Sequence, residues 1–191
     1  MPSLEESFEE LKRQIKYARR LSNTGDDPVY YLIFRPGEMM RVKQQMKVWT
    51  ARLKKEGWDV HTLSLAEVVN SFLRSAPLRE FWLEAEKENP LDFESINTTL
   101  REALLYDDVI TESVLEKLKE LGGRAQTVLL ITDIEALHPY MRVGAIEQKL
   151  QGKVSLPTVI LYPGIRTGKS SLKFLGIYPE DGNYRSIHIG G

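Results

Sequence analysis

Chemistry on phosphate would show as a glycine-rich turn ending in a lysine and a hydroxyl, and the chain has one fragment of that kind, Thr167-Gly168-Lys169-Ser170. A P-loop sets two glycines with four residues between them ahead of the lysine, so that backbone N–H groups can cradle the phosphates. Here the first-glycine position is Pro163, and Gly164 leaves only three residues before Gly168. A P-loop also opens a helix whose N-terminus helps to hold the anion, whereas Ser171-Leu172-Lys173-Phe174-Leu175 reads as a strand. The fragment is expected to be an exposed loop. Val128–Asp133 is an apolar run ending in a carboxylate, the form of a Walker B strand whose aspartate would hold Mg²⁺. That reading needs a P-loop on an earlier strand, yet the turn after Phe34 is Arg35-Pro36-Gly37-Glu38, with no glycine cradle and no lysine in place. What the residues allow is a nucleoside-triphosphatase core that has lost its ligand.

Other chemistries are fragmentary too. His61, His138 and His188 do not pair at zinc-ligand spacing. His138 precedes Pro139 in a loop expected at a strand's carboxyl end, where ligands bind in such sheets. No serine sits in a glycine-flanked nucleophile elbow. Cysteine is absent, which removes disulfides, thiolate nucleophiles and cysteine-containing zinc sites together and fits a reducing compartment. We therefore assign no catalytic residue, no metal and no cofactor. The expected strand ends leave one candidate crevice, drawn from Arg35, Asp133, His138, Arg142, Gly164 and Arg185.

The elements that must position those residues follow from pattern. With 191 residues, the chain is expected to be one domain, long enough to bury roughly 70% of its unfolded surface without a metal or disulfide. Its composition is 42% hydrophobic and 28% charged, with a net charge of -1, ordinary for a globular protein and without the basic surplus of a dedicated nucleic-acid binder. No signal-like segment begins the chain and no apolar run approaches the ~20 residues that span a bilayer, so a cytoplasmic protein is expected.

Leu4, Phe8, Leu11, Ile15 and Ala18 predict an amphipathic helix over 4–21, opened by the capping-box pair Ser3 and Glu6. Val29–Phe34 is a continuous β-forming run, as in a strand covered on both faces. A long helix with Met39, Val42, Met46, Trp49 and Leu53 on its buried stripe follows, closed by Gly57. A strand is expected at Trp58–Leu63, then a helix capped by Ser64 and Glu67. Residues 75–123 hold no strand and read as a helical insertion packed on the sheet, with the acidic stretch Glu84–Glu88 solvated and Trp58 and Trp82 in the core. Thr127–Thr132 and Leu156–Tyr162 are buried strands around a helix at Arg142–Leu150. Strands near Leu172–Ile177 and Tyr184–Ile189 flank the turn Pro179–Asn183 and predict a C-terminal antiparallel hairpin. The expected fold is a three-layer α/β domain over 1–191, with a mostly parallel sheet flanked by helices.

Four ordered groups of residues resemble the BrxB family of the bacterial BREX phage-defence system. They are Tyr31-Leu32-Ile33-Phe34-Arg35-Pro36 with Leu63-Ser64-Leu65, then Val128–Thr132 with His138-Pro139-Tyr140-Met141-Arg142. Leu156–Gly164 follows, and last come Leu172–Gly176 with Asn183-Tyr184-Arg185. The resemblance runs from about residue 28 to the end and departs from the pattern in the central helical part, so a partner surface there would belong to this subgroup. It implies an accessory protein without established catalysis, acting beside an ATPase, a DNA methyltransferase and the phosphatase-like PglZ. It supplies no catalytic residue. The expectation is an adaptor that binds other BREX proteins, PglZ first, without strong nucleic-acid or membrane binding. Two alternatives stay open: a nucleotide-binding switch at the crevice, and weak nucleic-acid binding through Lys12–Arg20 or Lys149–Lys153. Arg142 and Arg185 are candidates to hold the Asp133 carboxylate.

Overall fold

A computed structural model describes residues 2–18, 27–106, 108–168, 171–180 and 186–191. Two runs set the centre of the architecture. Strands β1 (Val29–Phe34) and β3 (Thr127–Thr132) are buried at every position, so each must be covered above and below. They lie in a sheet ordered β2-β3-β4-β1-β6, with β2 at Asp59–Ser64, β4 at Thr158–Arg166 and β6 at Ile187–Gly190, all parallel. A short strand, β5 (Leu172–Phe174), pairs antiparallel with the end of β4.

Because side chains alternate along a strand, the sheet has two apolar faces. Tyr30, Leu32 and Phe34 face α1 (Leu4–Ala18) and α2 (Met39–Lys55), where the Phe8 and Trp49 rings stack with centroids 4.8 Å apart. Tyr31 and Ile33 face the opposite core, built with α3 (Leu65–Ser75), α6 (Val109–Leu121) and α7 (Val143–Leu150). Full burial of each such side chain contributes about 1.5–3 kcal/mol, which makes these layers the main source of stability.

Helix ends follow the local signals. Ser3 and Glu6 close a reciprocal cap: the Ser3 N–H donates to Glu6 at 2.7 Å and the Glu6 N–H to the Ser3 hydroxyl at 3.2 Å. Gly57, at φ +89°, ends α2 in the left-handed conformation. There the Trp58 N–H reaches the Leu53 carbonyl and the Gly57 N–H that of Lys54, so both orphan carbonyls are satisfied while buried Trp58 and Leu53 join the same core.

The expected insertion divides in two. Its last helix, α6, buries Ile110, Val114, Leu118 and Leu121 in the core. Helices α4 (Arg79–Glu88) and α5 (Phe93–Tyr106) form an arm attached through α3 and α6. Buried Trp82 and Leu104 anchor it.

The C-terminal hairpin is corrected by the structure. The antiparallel strand near Leu172 exists, but its partner is β4; the last strand runs parallel to β1 on that strand's free edge. Pairing with β1 satisfies the backbone groups of a buried edge and brings Ile189 into the α1–α2 core. Residues 181–185 of the expected turn and strand lie outside the described residues.

Gly164 is what lets β5 close on β4. A Cβ there would lie 2.4 Å from Tyr162 Cε1 and 2.7 Å from the Lys173 carbonyl oxygen, whereas one on Gly37 would meet nothing within 4 Å. Gly164→Ala is expected to cost about 1–3 kcal/mol by overpacking, and Gly37→Ala less than about 0.5 kcal/mol. Urea denaturation of both variants checks the contrast; equal midpoints would contradict it.

Candidate functional site

The carboxyl ends of parallel strands are where open α/β sheets bind ligands, and the candidate residues were drawn from there. Asp133 directly follows β3 in a left-handed conformation, φ +58°, and starts the 3-10 turn Ile134–Leu137. This places its carboxylate among three donors. Lys43 of α2 approaches Oδ1 at 2.8 Å, while the hydroxyls of Ser64 and Thr132 each donate to Oδ2 at 2.7 Å. Lys43 also reaches Glu135 at 2.8 Å, bridging two carboxylates. Burial by itself would push the Asp133 carboxyl up; the Lys43 ammonium and the two hydroxyls outweigh it and hold the carboxyl below its ordinary 3.8. Beside this cluster, between α2 and the ends of β2 and β3, lies a cleft of about 640 Å³. Phe34, Val42 and Leu161 line it, with Lys47 and Lys54 among its cations.

His138 and Arg142 belong to a different place. They line a cavity of about 260 Å³ together with Tyr162, Phe174 and Tyr178. His138, joined to Pro139 by a cis peptide bond, places Nε2 3.2 Å from the Tyr178 hydroxyl, and the two rings meet edge to face. The Arg142 guanidinium lies 5.9 Å from the Tyr178 ring centre. Aromatic contacts continue through Phe174 and Tyr162 to Tyr31, and from Tyr31 to His188. Burial, with Arg166 nearby, lowers the His188 pKa to about 4, so its imidazole is neutral at pH 7. His61 instead sits 2.8 Å from Asp59 on the edge strand.

Arg35 is exposed at the start of the turn Pro36–Glu38 and lines a shallow pocket with Ser7 and Gly191. The six candidates therefore do not form one crevice. Asp133 lies beside the α2 cleft, His138 and Arg142 line the aromatic cavity, Gly164 is a packing position, and Arg185 lies outside the described residues. Of the two arginines expected to hold Asp133, Arg142 is corrected: Lys43 holds the carboxylate and Arg142 lies over Tyr178, while Arg185 lies outside the described residues. A lysine on an exposed turn of α2 carries no sequence signal of this role. Ser64 was legible as a helix cap, and its hydroxyl does accept the Glu67 N–H at 3.3 Å, but its donation to Asp133 needed the fold.

At the β1–β4 junction the chain folds back over the strand ends. Strand β4 continues past Phe34, which is in register with Pro163, and β5 folds back on its extension. The Leu175 N–H donates to the Pro163 carbonyl at 2.9 Å. The turn beyond it comes against Pro36, which lies 4.0 Å from the Cβ position at Gly176. Most described cations of the basic segments proposed for nucleic acid are ion-paired: Lys12 to Glu9 and Glu56, Lys16 to Glu56, Arg13 to Glu10, and Lys149 to Asp108. Arg19, Arg20 and Lys169-Ser170 lie outside the described residues. Among the described residues, no group of His, Asp and Glu is arranged to hold a metal ion.

The Asp133 cluster fixes the sign of an acid effect. A carboxyl whose folded pKa lies below its unfolded value stabilises fully above the unfolded value and loses that contribution as pH falls through the folded one. Asp133→Asn is expected to lower unfolding free energy by about 1 kcal/mol at pH 7, discounted because Lys43 is half exposed. The difference from wild type should shrink below pH 3.8. Urea titrations at pH 7 and pH 3 test this, and a gap that acid leaves unchanged would refute it.

No curated protein and no solved structure matches the chain significantly. The family model described as BREX protein BrxB matches residues 61–189, from β2 to β6, including the arm and Asp133 but not β1 or Lys43. On that match over more than half of its length, the chain belongs to the BrxB family, a component of BREX phage defence.

Proposed function

We propose that the chain is a non-catalytic adaptor of a BREX complex, acting through protein–protein contact in the cytoplasm and docking the phosphatase-like PglZ. One observation carries this reading: the Asp133 carboxylate and the end of the β1–β4 pair are each engaged by the chain itself. The turn after β5 lies against Pro36 at the β1–β4 junction, and Lys43, Ser64 and Thr132 already occupy the Asp133 carboxylate. A nucleotide or Mg²⁺ entering at Asp133 would have to displace a lysine and two hydroxyl donors. Family membership supplies the assembly in which an adaptor would work. No described helix is long and apolar enough to cross a membrane. The ion pairs of the basic segments leave less free positive charge for phosphate contacts.

A second reading, a nucleotide-binding switch, is favoured by the open cleft of about 640 Å³ beside Asp133. It predicts a rise in melting temperature with a nucleotide and Mg²⁺, abolished in Asp133→Asn.

Two measurements separate the readings. Tagged chain co-expressed with the other BREX proteins should retain PglZ through affinity and size-exclusion steps. The melting temperature of the purified chain should stay within error across ATP, ADP, GTP and GDP, with and without Mg²⁺. Absence of PglZ and every other BREX protein from the purified complex rejects the adaptor; a nucleotide shift lost in Asp133→Asn replaces it with the switch.

A further inference from the structure

The arm formed by α4 and α5, with the residue that precedes it, leaves several large apolar side chains open to solvent. Leu78, Phe81, Leu91, Phe93, Leu105 and Tyr106 are all exposed, with Leu91 at 83% and Tyr106 at 89%. Among the described residues they make up half of the twelve exposed large hydrophobic ones, within a segment of 29 residues. Loose packing does not account for this, because Trp82 and Leu104 of the same helices are buried. Burial of such side chains is favourable wherever a surface is available, and monomeric proteins seldom leave large ones clustered. Every residue from Glu84 to Ser95 is exposed, so the end of α4, the turn and the start of α5 form a projecting tip.

The tip is also strongly acidic. Residues 84–94 hold Glu84, Glu86, Glu88, Asp92 and Glu94 against Lys87 alone, a net charge of -4, while the whole chain carries -1. None of these five carboxylates forms an ion pair among the described residues. Glu80, Glu84 and Glu88 repeat at i, i+4 on one helix face, an arrangement that destabilises an isolated helix. Charge concentrated this way selects partners. It repels phosphate backbones and anionic lipid surfaces, and it repels an identical tip in a self-complementary dimer. It attracts lysine and arginine.

We infer that the α4–α5 tip is the docking element of the adaptor, taking a basic face of a partner protein whose apolar sockets receive Phe81, Leu91 and Phe93. The inference rests on the adaptor reading and adds to it the surface and the partner's chemistry. The apolar side chains supply affinity in the desolvated centre. The surrounding carboxylates supply orientation and speed of encounter.

The test uses the full chain co-expressed with the BREX proteins, PglZ among them, in four forms. These are wild type, Phe81→Ser with Phe93→Ser, Glu84→Lys with Glu86→Lys and Glu88→Lys, and Lys47→Glu in the α2 cleft as a control. All substituted positions are exposed, and circular dichroism melts confirm that each variant folds. Both arm variants should retain at least tenfold less partner than wild type, while Lys47→Glu retains it all. Capture by the arm variants equal to wild type overturns this inference and leaves the adaptor reading standing. Failure of wild type to capture any BREX protein overturns both. Self-association of the purified chain, measured by light scattering and abolished by the arm variants, would assign the tip to a second copy and overturn the basic-partner inference.

Discussion

A parallel sheet covered on both faces has no free surface for chemistry except at the ends of its strands. That constraint organises the molecule. Strands β1 and β3 are buried throughout, because α1 and α2 lie on one face and α3, α6 and α7 on the other. Whatever a chain of this shape binds must meet strand ends, or surfaces of helices that the layers do not consume. The strand ends are engaged from within, by β5 at the β1–β4 junction and by Lys43 at Asp133. The helical surface left over is concentrated on α4 and α5.

Much of this was legible in the sequence where the signal is local. Val29–Phe34 and Thr127–Thr132 announce buried strands because no polar residue interrupts them except threonines at the ends of the second. Ser3 with Glu6, and Gly57, announce helix ends through hydrogen bonds that reach no further than a turn. The hairpin failed where two local signals competed with a distant one. The turn residues at 179–183 favour a reversal, but the unpaired edge of β1, some 150 residues earlier in the chain, captured the last strand. Edge satisfaction is a property of the whole sheet, so a window of neighbouring residues does not contain it.

The candidate residues show the same division. Asp133 was found because an acidic residue after an apolar run is a local pattern. Arg142, one of two arginines expected as its partner, lies elsewhere. Lys43 lies 90 residues away, on a helix that crosses from β1 to β2, and reaches the carboxylate from above the sheet. Likewise, His138 and Arg142 were grouped with Asp133 by position along the chain, whereas they line an aromatic cavity with Tyr178 and Phe174. Acidic Glu84–Glu88 reads in sequence as a solvated face, and it is one. What sequence does not show is that Leu91 and Phe93, which follow directly, are solvated as well.

These two halves of the molecule meet at Ser64. Its hydroxyl donates to Asp133 and accepts the Glu67 N–H, so one side chain ties the end of β3 to the start of α3. Lys43 extends the tie to α2. Helix α3 then packs against α4 and leads into it after three residues, which makes α3 the base on which the arm stands. A helix fixed at its first turn by a cap and a charged cluster has little freedom to tilt, and a surface presented on a fixed base loses less orientational entropy when it docks. The aspartate that resembles the end of a Walker B strand thereby acts on geometry, because its three hydrogen-bonding partners come from α2, β3 and the cap of α3. Through that cap, the polar cluster at the carboxyl ends of β2 and β3 is joined to the helix that leads into the arm.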